Sequence, residues 1–158
     1  MLVSFEEARA HLRVDDCYPT EQIAPYLLAA ERFAVEFLNR RLYASEAQRA
    51  EAVATVPQAL AAASAAYASA MQSATALPVG IERDAALQHA SWVYEAAKTA
   101  ALEIRRSMVA DDLVRAAILL ILGHLHENRE EVVTGTTATT LPTGAKALLS
   151  PHRVGMGV

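Results

Sequence analysis

Along much of the chain, apolar residues recur at spacings of three and four, which is the pattern of helices with one buried face. The stretch Ser4-Phe5-Glu6-Glu7 is a capping box and predicts a first helix over residues 4–12. A second helix is predicted over residues 20–42, where Pro25 either lies near the first turn or bends the helix. Its apolar stripe consists of Ile23, Leu27, Ala30, Ala34, Phe37 and Leu38.

The middle of the chain is rich in alanine and carries no motif. Residues 44–56 are polar and fit either a loop or a short helix, and Pro57 is expected to open the next helix. More than half of residues 59–76 are alanines, which bury little area. After a break at Leu77-Pro78-Val79-Gly80, residues 81–108 are predicted to form a long helix. Its two adjacent apolar stripes predict neighbours on more than one side.

The last long helix is predicted over residues 112–133, with Asp111 or Asp112 as its N-cap. Residues 116–122 are apolar on every side, which predicts that this is the central helix of a bundle. Gly135 is expected to end the helix.

Beyond this helix the sequence changes character, because threonine, a β-branched residue that favours extended chain, becomes frequent. Thr143 is expected to cap a single helical turn through Leu149, closed before Pro151. The threonines that precede it are Thr134, Thr136, Thr137, Thr139 and Thr140.

These patterns predict an all-α protein. We expect a bundle of about four to five helices over residues 1–133, with residues 44–110 as an alanine-rich helical insertion and residues 134–158 as an extended C-terminal arm. A chain of 158 residues, with 53% hydrophobic and only 6% aromatic residues, is long enough for one buried core and favours helix over sheet.

Charge and cysteine content narrow the function classes. The formal net charge is −4, and Lys and Arg are scattered, which disfavours a protein that grips phosphates tightly. Cys17 is the single cysteine, so no intrachain disulfide can form. The N-terminus lacks the features of a signal peptide, and the apolar run at residues 116–122 is too short to span a membrane.

Candidate catalytic and metal-binding residues are few. His124 and His126 are two residues apart, so on a helix they point roughly 200° apart and cannot chelate one ion. Cys17 has no predicted nearby base, and neither a Gly-x-Ser-x-Gly nor a phosphate-binding glycine loop occurs. We therefore expect no enzyme activity, no cofactor and no metal.

The order of the segments resembles the head–tail connector family of long-tailed phages, whose members are also called head-completion or adaptor proteins. Related proteins occur in prophages and gene transfer agents. The resemblance covers about residues 2–43 and 111–153, and its C-terminal part is the more specific. It rests on Ser-Phe-Glu-Glu-Ala-Arg-Ala-His-Leu-Arg-Val-Asp (4–15), Tyr-Leu-Leu-Ala-Ala-Glu (26–31), Phe-Leu-Asn-Arg-Arg-Leu-Tyr (37–43), Ala-Ile-Leu-Leu (117–120), Gly-His-Leu-His-Glu-Asn-Arg-Glu (123–130), Leu-Pro-Thr-Gly (141–144) and Ala-Leu-Leu-Ser-Pro-His-Arg (147–153).

The resemblance implies a structural virion protein at the head–tail interface, assembled in the cytoplasm of a host bacterium. Its subunits would form a ring, a dodecamer in the particle, beneath the portal protein. A stopper or tail-completion protein would dock below the ring, and DNA would pass through its centre as cargo. The chain departs from the family pattern at His126, where an aromatic residue is usual, and in the length of residues 44–110.

The C-terminal arm is the expected partner-binding element, because an extended chain can add a strand to another protein. We expect residues 134–158 to be mobile in the isolated subunit and to become ordered on the portal or on a neighbouring copy. The expected partner-binding residues are Asn128, Arg129, Thr136, Thr137, Leu141, Pro142, Leu148, Leu149, Pro151 and Arg153.

Two other functions stay open at this point. A small helical DNA-binding or DNA-packaging factor would need a face lined with Lys and Arg, and its binding would weaken steeply with salt. A small metal-dependent hydrolase would have to use His124, His126 and Glu127.

Overall fold

The computed structural model describes residues 1–128 and 143–155. These residues contain six α-helices, one short 3-10 helix and two short strands, which confirms the all-α prediction. The elements are α1 (Phe5–Leu12), α2 (Thr20–Leu38), β1 (Leu42–Tyr43), α3 (Glu46–Thr75), α4 (Ile81–Arg105), β2 (Met108–Val109), α5 (Asp112–Glu127), α6 (Thr143–Leu149) and the 3-10 helix Ser150–His152.

The chain divides into two compact units. The first, which we call the body, comprises Met1–Glu46 and Met108–Val158. The second, which we call the hairpin, comprises Ala47–Ser107. The body is therefore built from two stretches that are far apart in sequence.

The core of the body lies between α2 and α5, and α1 and α6 pack onto this pair. The predicted stripe of α2 is confirmed: five of its six residues are buried, and Phe37 is partly buried. Helix α5 packs against α1, α2 and α6 and is the central helix, as expected, although Ala116 and Leu120 on it are exposed. The core residues of α5 are Val114, Ala117, Ile118, Ile121 and Leu122.

Helix α1 begins as its sequence predicts. Ser4 is the N-cap, its hydroxyl accepts from the backbone N–H of Glu7, and the Glu7 carboxylate accepts from the backbone N–H of Ser4. At the start of α5, Asp111 is the residue that caps, because its Oδ1 accepts from Val114 N at 2.9 Å.

Three predicted helix ends were wrong. Helix α5 ends at Glu127 rather than at residue 133, because Asn128 leaves the helical conformation with φ −105° and ψ 70°.

The other two ends, those of α2 and α4, share one cause, the pairing of β1 with β2. Helix α2 ends at Leu38 rather than at residue 42, because Asn39 adopts the left-handed conformation with φ 53°. The chain then becomes extended, and β1 pairs in parallel with β2, Leu42 opposite Met108. This pairing also explains why α4 ends at Arg105 instead of continuing to residue 108.

The prediction that Pro57 opens a helix was also wrong. Helix α3 begins at Glu46 and continues through Pro57 to Thr75. A proline inside a helix removes one backbone hydrogen bond and costs about 3 kcal/mol. The residues before it are mainly Glu, Ala, Gln and Arg, which are strong helix formers, and Val56 is buried beside it.

The hairpin consists of α3 and α4, joined by residues 76–80, which include the predicted break at residues 77–80. Its two helices meet where the rings of Tyr67 and Tyr94 stack, with centroids 4.9 Å apart. Near the other end, Arg49 Nε donates to the Ser107 carbonyl at 3.0 Å. The buried residues of this unit are Val56, Ala74, Ala90, Ala101 and Ser107.

The helix predicted from Thr143 through Leu149 is confirmed as α6, but residues 143–155 are packed on the body and are not an extended arm. Helix α6 packs on α5, with Ala145 and Leu149 0% and 1% exposed in the core. These side chains are four residues apart on one face of α6, so they fill the core together. Residues 129–142 and 156–158, including the predicted helix stop at Gly135, lie outside the described residues.

Truncation of Leu149 tests whether α6 belongs to the core. Leu149→Ala should lower the free energy of unfolding by about 2–4 kcal/mol, because it leaves a cavity beside α5. The matched control is Leu113→Ala on α5, which is 47% exposed and should cost less than about 1 kcal/mol. Urea unfolding followed by circular dichroism measures both, and equal small losses would contradict the described packing.

Candidate interaction surfaces

The C-terminal segment is tied to the end of α2 through backbone groups. Val154 N donates to the Leu38 carbonyl at 3.0 Å, and Asn39 Nδ2 donates to the Val154 carbonyl at 3.2 Å. Arg40 Nη1 donates to the His152 carbonyl at 3.2 Å. These contacts depend on Asn39, whose left-handed backbone ends α2 and whose amide reaches the returning chain.

Two side chains of this segment also contact the body. The Arg153 guanidinium lies 5.0 Å from the centroid of the Phe37 ring, within the range of a cation–π interaction. His152 Nε2 lies 3.2 Å from Asp111 Oδ2, a contact that becomes an ion pair when the imidazole is protonated. Pro151, which directly precedes these two residues, is exposed. We call Pro151, His152 and Arg153 the C-terminal patch.

Asn128 lies at a different place from the C-terminal patch. It follows the last residue of α5, and its Nδ2 donates to the His124 carbonyl at 2.9 Å. The patch contacts Asp111 at the opposite end of α5, a 16-residue helix that is about 24 Å long. The structure therefore does not bring Asn128 together with Pro151 and Arg153.

The other expected partner-binding residues divide into two groups. Leu149 is a core residue, and Leu148 is partly buried against the same core, so neither side chain is fully available to a partner. The remaining ones lie outside the described residues: Arg129, Thr136, Thr137, Leu141 and Pro142.

The two histidines of α5 have separate surroundings. The ring of His126 meets Tyr18 and Tyr26 edge-on, with centroids 6.1 and 6.2 Å apart. His124 instead lies beside Asn128, with Nδ1 and Nδ2 3.2 Å apart. Over residues 1–128 and 143–155, no group of three or more His, Cys, Asp and Glu side chains could hold a metal ion.

A carboxylate joins α1 to α5. Arg115 Nη2 donates to Glu7 Oε1 at 2.6 Å, while the backbone N–H of Ser4 donates to Glu7 Oε2 at 2.8 Å. The hydrogen bond from the Ser4 backbone, followed by that from Arg115, lowers the pKa of Glu7 from 4.5 to about 2. The capping box predicts the Ser4 contact, but no local signal points to Arg115, which is 108 residues away.

Glu31 binds the N-terminal residues of the chain, a role that the helical pattern of the sequence does not predict. The helical pattern places it on the outer, solvated side of α2. In the structure its Oε1 accepts from the backbone N–H groups of Leu2 and Val3, which are buried. Glu31 therefore fixes the first residues of the chain against α2.

The hairpin presents an apolar surface on one side. A groove of about 210 Å³ runs between α3 and α4, and the side chains of Trp92 and Val93 beside it are 69% and 47% exposed. No charged residue occurs from Ala52 to Ile81. The groove is lined by Ala63, Ala66, Tyr67, Ala70, His89, Ala90, Val93 and Tyr94.

Comparison with known proteins identifies no relative: no family model, no curated protein and no solved structure matches the chain. Among the described helices, none combines the length and the apolar character that crossing a membrane requires.

The Glu7 contacts predict how stability depends on pH. Because the pKa of Glu7 is lowered from 4.5 to about 2 in the folded protein, its contribution is fully present above pH 4.5 and is lost as the pH falls toward 2. In Glu7→Gln, stability should therefore fall less between pH 4.5 and pH 2 than in the wild type, because the amide does not titrate. Glu6→Gln, in the same turn, leaves the contacts of Glu7 in place and should keep the wild-type profile. Thermal unfolding at pH values from 2 to 6 measures the effect, and identical profiles for Glu7→Gln and wild type would contradict it.

Proposed function

We propose that this chain is a structural subunit of a phage head–tail connector, which forms a ring beneath the portal and joins the DNA-filled head to the tail or stopper. One observation supports this most. The described parts of the two stretches that resemble the family, residues 2–43 and 111–153, belong to the same body, while most of the intervening residues, Ala47–Ser107, form a unit of their own.

That division has a physical meaning. If the resemblance were accidental, nothing would require two short stretches separated by about 67 residues to share one core. In the body they share α2 and α5, its principal pair of helices, and the segment 150–154 contacts the end of α2. The likeness therefore coincides with one compact unit, as expected for an inherited domain.

Exposed apolar side chains support a role in assembly. On the body, Leu28 and Leu113 are 57% and 47% exposed, and Leu120 is 40% exposed. Leu113 and Leu120 are seven residues apart, so they lie on the same face of α5. A ring needs one face of each subunit to meet a different face of its neighbour, and such side chains are suited to that contact.

The charge of the chain is compatible with a conduit for DNA. A strongly basic lumen would hold phosphates through counterion release and slow the passage of DNA. The chain carries 14 Lys and Arg against 18 Asp and Glu. The only adjacent Lys or Arg residues in the sequence are Arg40-Arg41 and Arg105-Arg106. Of these, Arg40 donates a hydrogen bond to the His152 carbonyl. These features favour the connector over a DNA-packaging factor.

The partner-binding element is redefined by the fold. Because residues 143–155 are engaged in the body, a strand that adds to a partner is now proposed only for the threonine-rich residues 134–142. Pro151 and Arg153 belong to a separate, structured patch.

The proposal predicts binding to portal rings from the same particle. Light scattering should give the mass of a portal ring with one copy of the chain per portal subunit. Replacing residues 134–141 with a Gly/Ser linker of equal length should weaken this binding by at least about tenfold while leaving α6 in place. Replacing Pro78-Val79-Gly80 in the hairpin turn with Gly-Ser-Gly is the matched control and should bind as wild type does.

Three outcomes count against parts of this account. Absence of any portal complex would contradict the connector function. Unchanged binding of the linker variant would contradict the role of residues 134–141 alone. DNA binding in a gel shift that falls steeply between low and moderate salt would favour the packaging factor instead.

A further inference from the structure

The apolar side of the hairpin is a surface that the proposed function does not use. On α4, His89 is three and four residues before Trp92 and Val93, and Ala96 is four and three residues after them, so all four share one side of the helix. On α3, Ala59, Ala62, Ala66 and Ala70 do the same. Because His89, Val93, Ala66 and Ala70 all line the groove, both sets lie on the same side of the hairpin. We call these residues the hairpin face.

The hairpin face differs from the other side of α4 in charge. Glu95 and Lys98 form an ion pair at 2.8 Å on that other side, and their side chains are 64% and 46% exposed. The hairpin face contains no charged residue, and its Trp92 is 69% exposed. An exposed tryptophan beside an apolar groove is typical of a protein interface.

We propose that the hairpin face pairs with the same face of a second copy of this chain, forming an antiparallel four-helix bundle. The hairpin by itself is a two-helix unit with five buried residues. Pairing two such units would give each apolar side a helical neighbour, which is how amphipathic helices form stable bundles.

The distribution of side-chain size favours a second copy as the occupant. The three large side chains of the face, His89, Trp92 and Val93, are on α4, whereas all four face residues of α3 are alanines. A two-fold axis parallel to the helices places α4 of each copy across α3 of the other at the same level. Trp92 then meets the alanines around Ala66 and Ala70, so large side chains face small ones in both copies.

The area fits a weak contact between copies. On α4 this side of the helix is uncharged from Ala85 to Ala100, because Glu82 and Glu103 lie on it just beyond these residues. That length is about 22 Å, and two helices, each about 10 Å wide, give a footprint of roughly 450 Å² per copy. The pair therefore covers about 900 Å², which is the size of a weak or transient interface, so pairing is expected at micromolar concentrations.

Measurement of the mass of the isolated chain as a function of concentration tests the pairing. The wild type should form pairs by sedimentation velocity. Ala66→Glu places a carboxylate in the face of both copies and should weaken pairing by at least about a hundredfold. Ala68→Glu is the matched control, because this exposed alanine lies at the same level of α3 but roughly 200° around the helix. Circular dichroism should show the same helix content in all three.

Trp92 supplies an independent readout, because it is the chain's single tryptophan. As the protein concentration rises, acrylamide should quench the fluorescence of Trp92 less strongly in the wild type and in Ala68→Glu, because pairing covers its ring. In Ala66→Glu the quenching should stay the same. A wild type that stays monomeric up to about 100 μM would overturn the proposal. Two other results would also overturn it: pairing that is equally strong in Ala66→Glu, and pairing in which acrylamide quenches Trp92 as strongly as in the monomer. This experiment contains no portal protein, so a monomeric wild type would not contradict the proposed connector function. Absence of portal binding would likewise not contradict the pairing.

Discussion

The contact between α2 and α5 is the interaction on which the rest of the body depends. Both helices supply fully buried side chains every three or four residues, and α1 and α6 cover the remaining sides of the pair. These helices come from opposite ends of the chain, so the core forms only when both ends come together. The docking of residues 150–154 on the end of α2 reinforces the same closure.

The parallel pairing of β1 with β2 explains how a long insertion is accommodated. Leu42 and Tyr43 lie beside Met108 and Val109, so the chain leaves the body and returns to it at adjacent points. An insertion between these two adjacent strands has little effect on the stability of the body, because no core helix has to move. The hairpin can therefore carry a surface of its own while the body keeps the elements that resemble a connector.

The sequence predicts those parts of the fold that depend on local pattern. The capping box at Ser4 and Glu7, the stripe of α2 and the break before α4 are all encoded within a few residues. Two of the wrong predictions depend on contacts that are distant in sequence, whereas the helix that continues through Pro57 reflects the strong helix formers before it. The end of α2 requires the β1–β2 pairing, and the docking of α6 requires the completed core. Of the expected partner-binding residues that the structure describes, Leu149 is buried in the core and Leu148 is partly buried against it.

The central claim is that this chain acts by assembling with other components of a virus particle. Cryo-electron microscopy of portal rings saturated with the purified chain tests it most directly. The account predicts a closed ring on one face of the portal, with one body-shaped density per portal subunit around an open channel. Portal rings that carry no additional density under these conditions would contradict it.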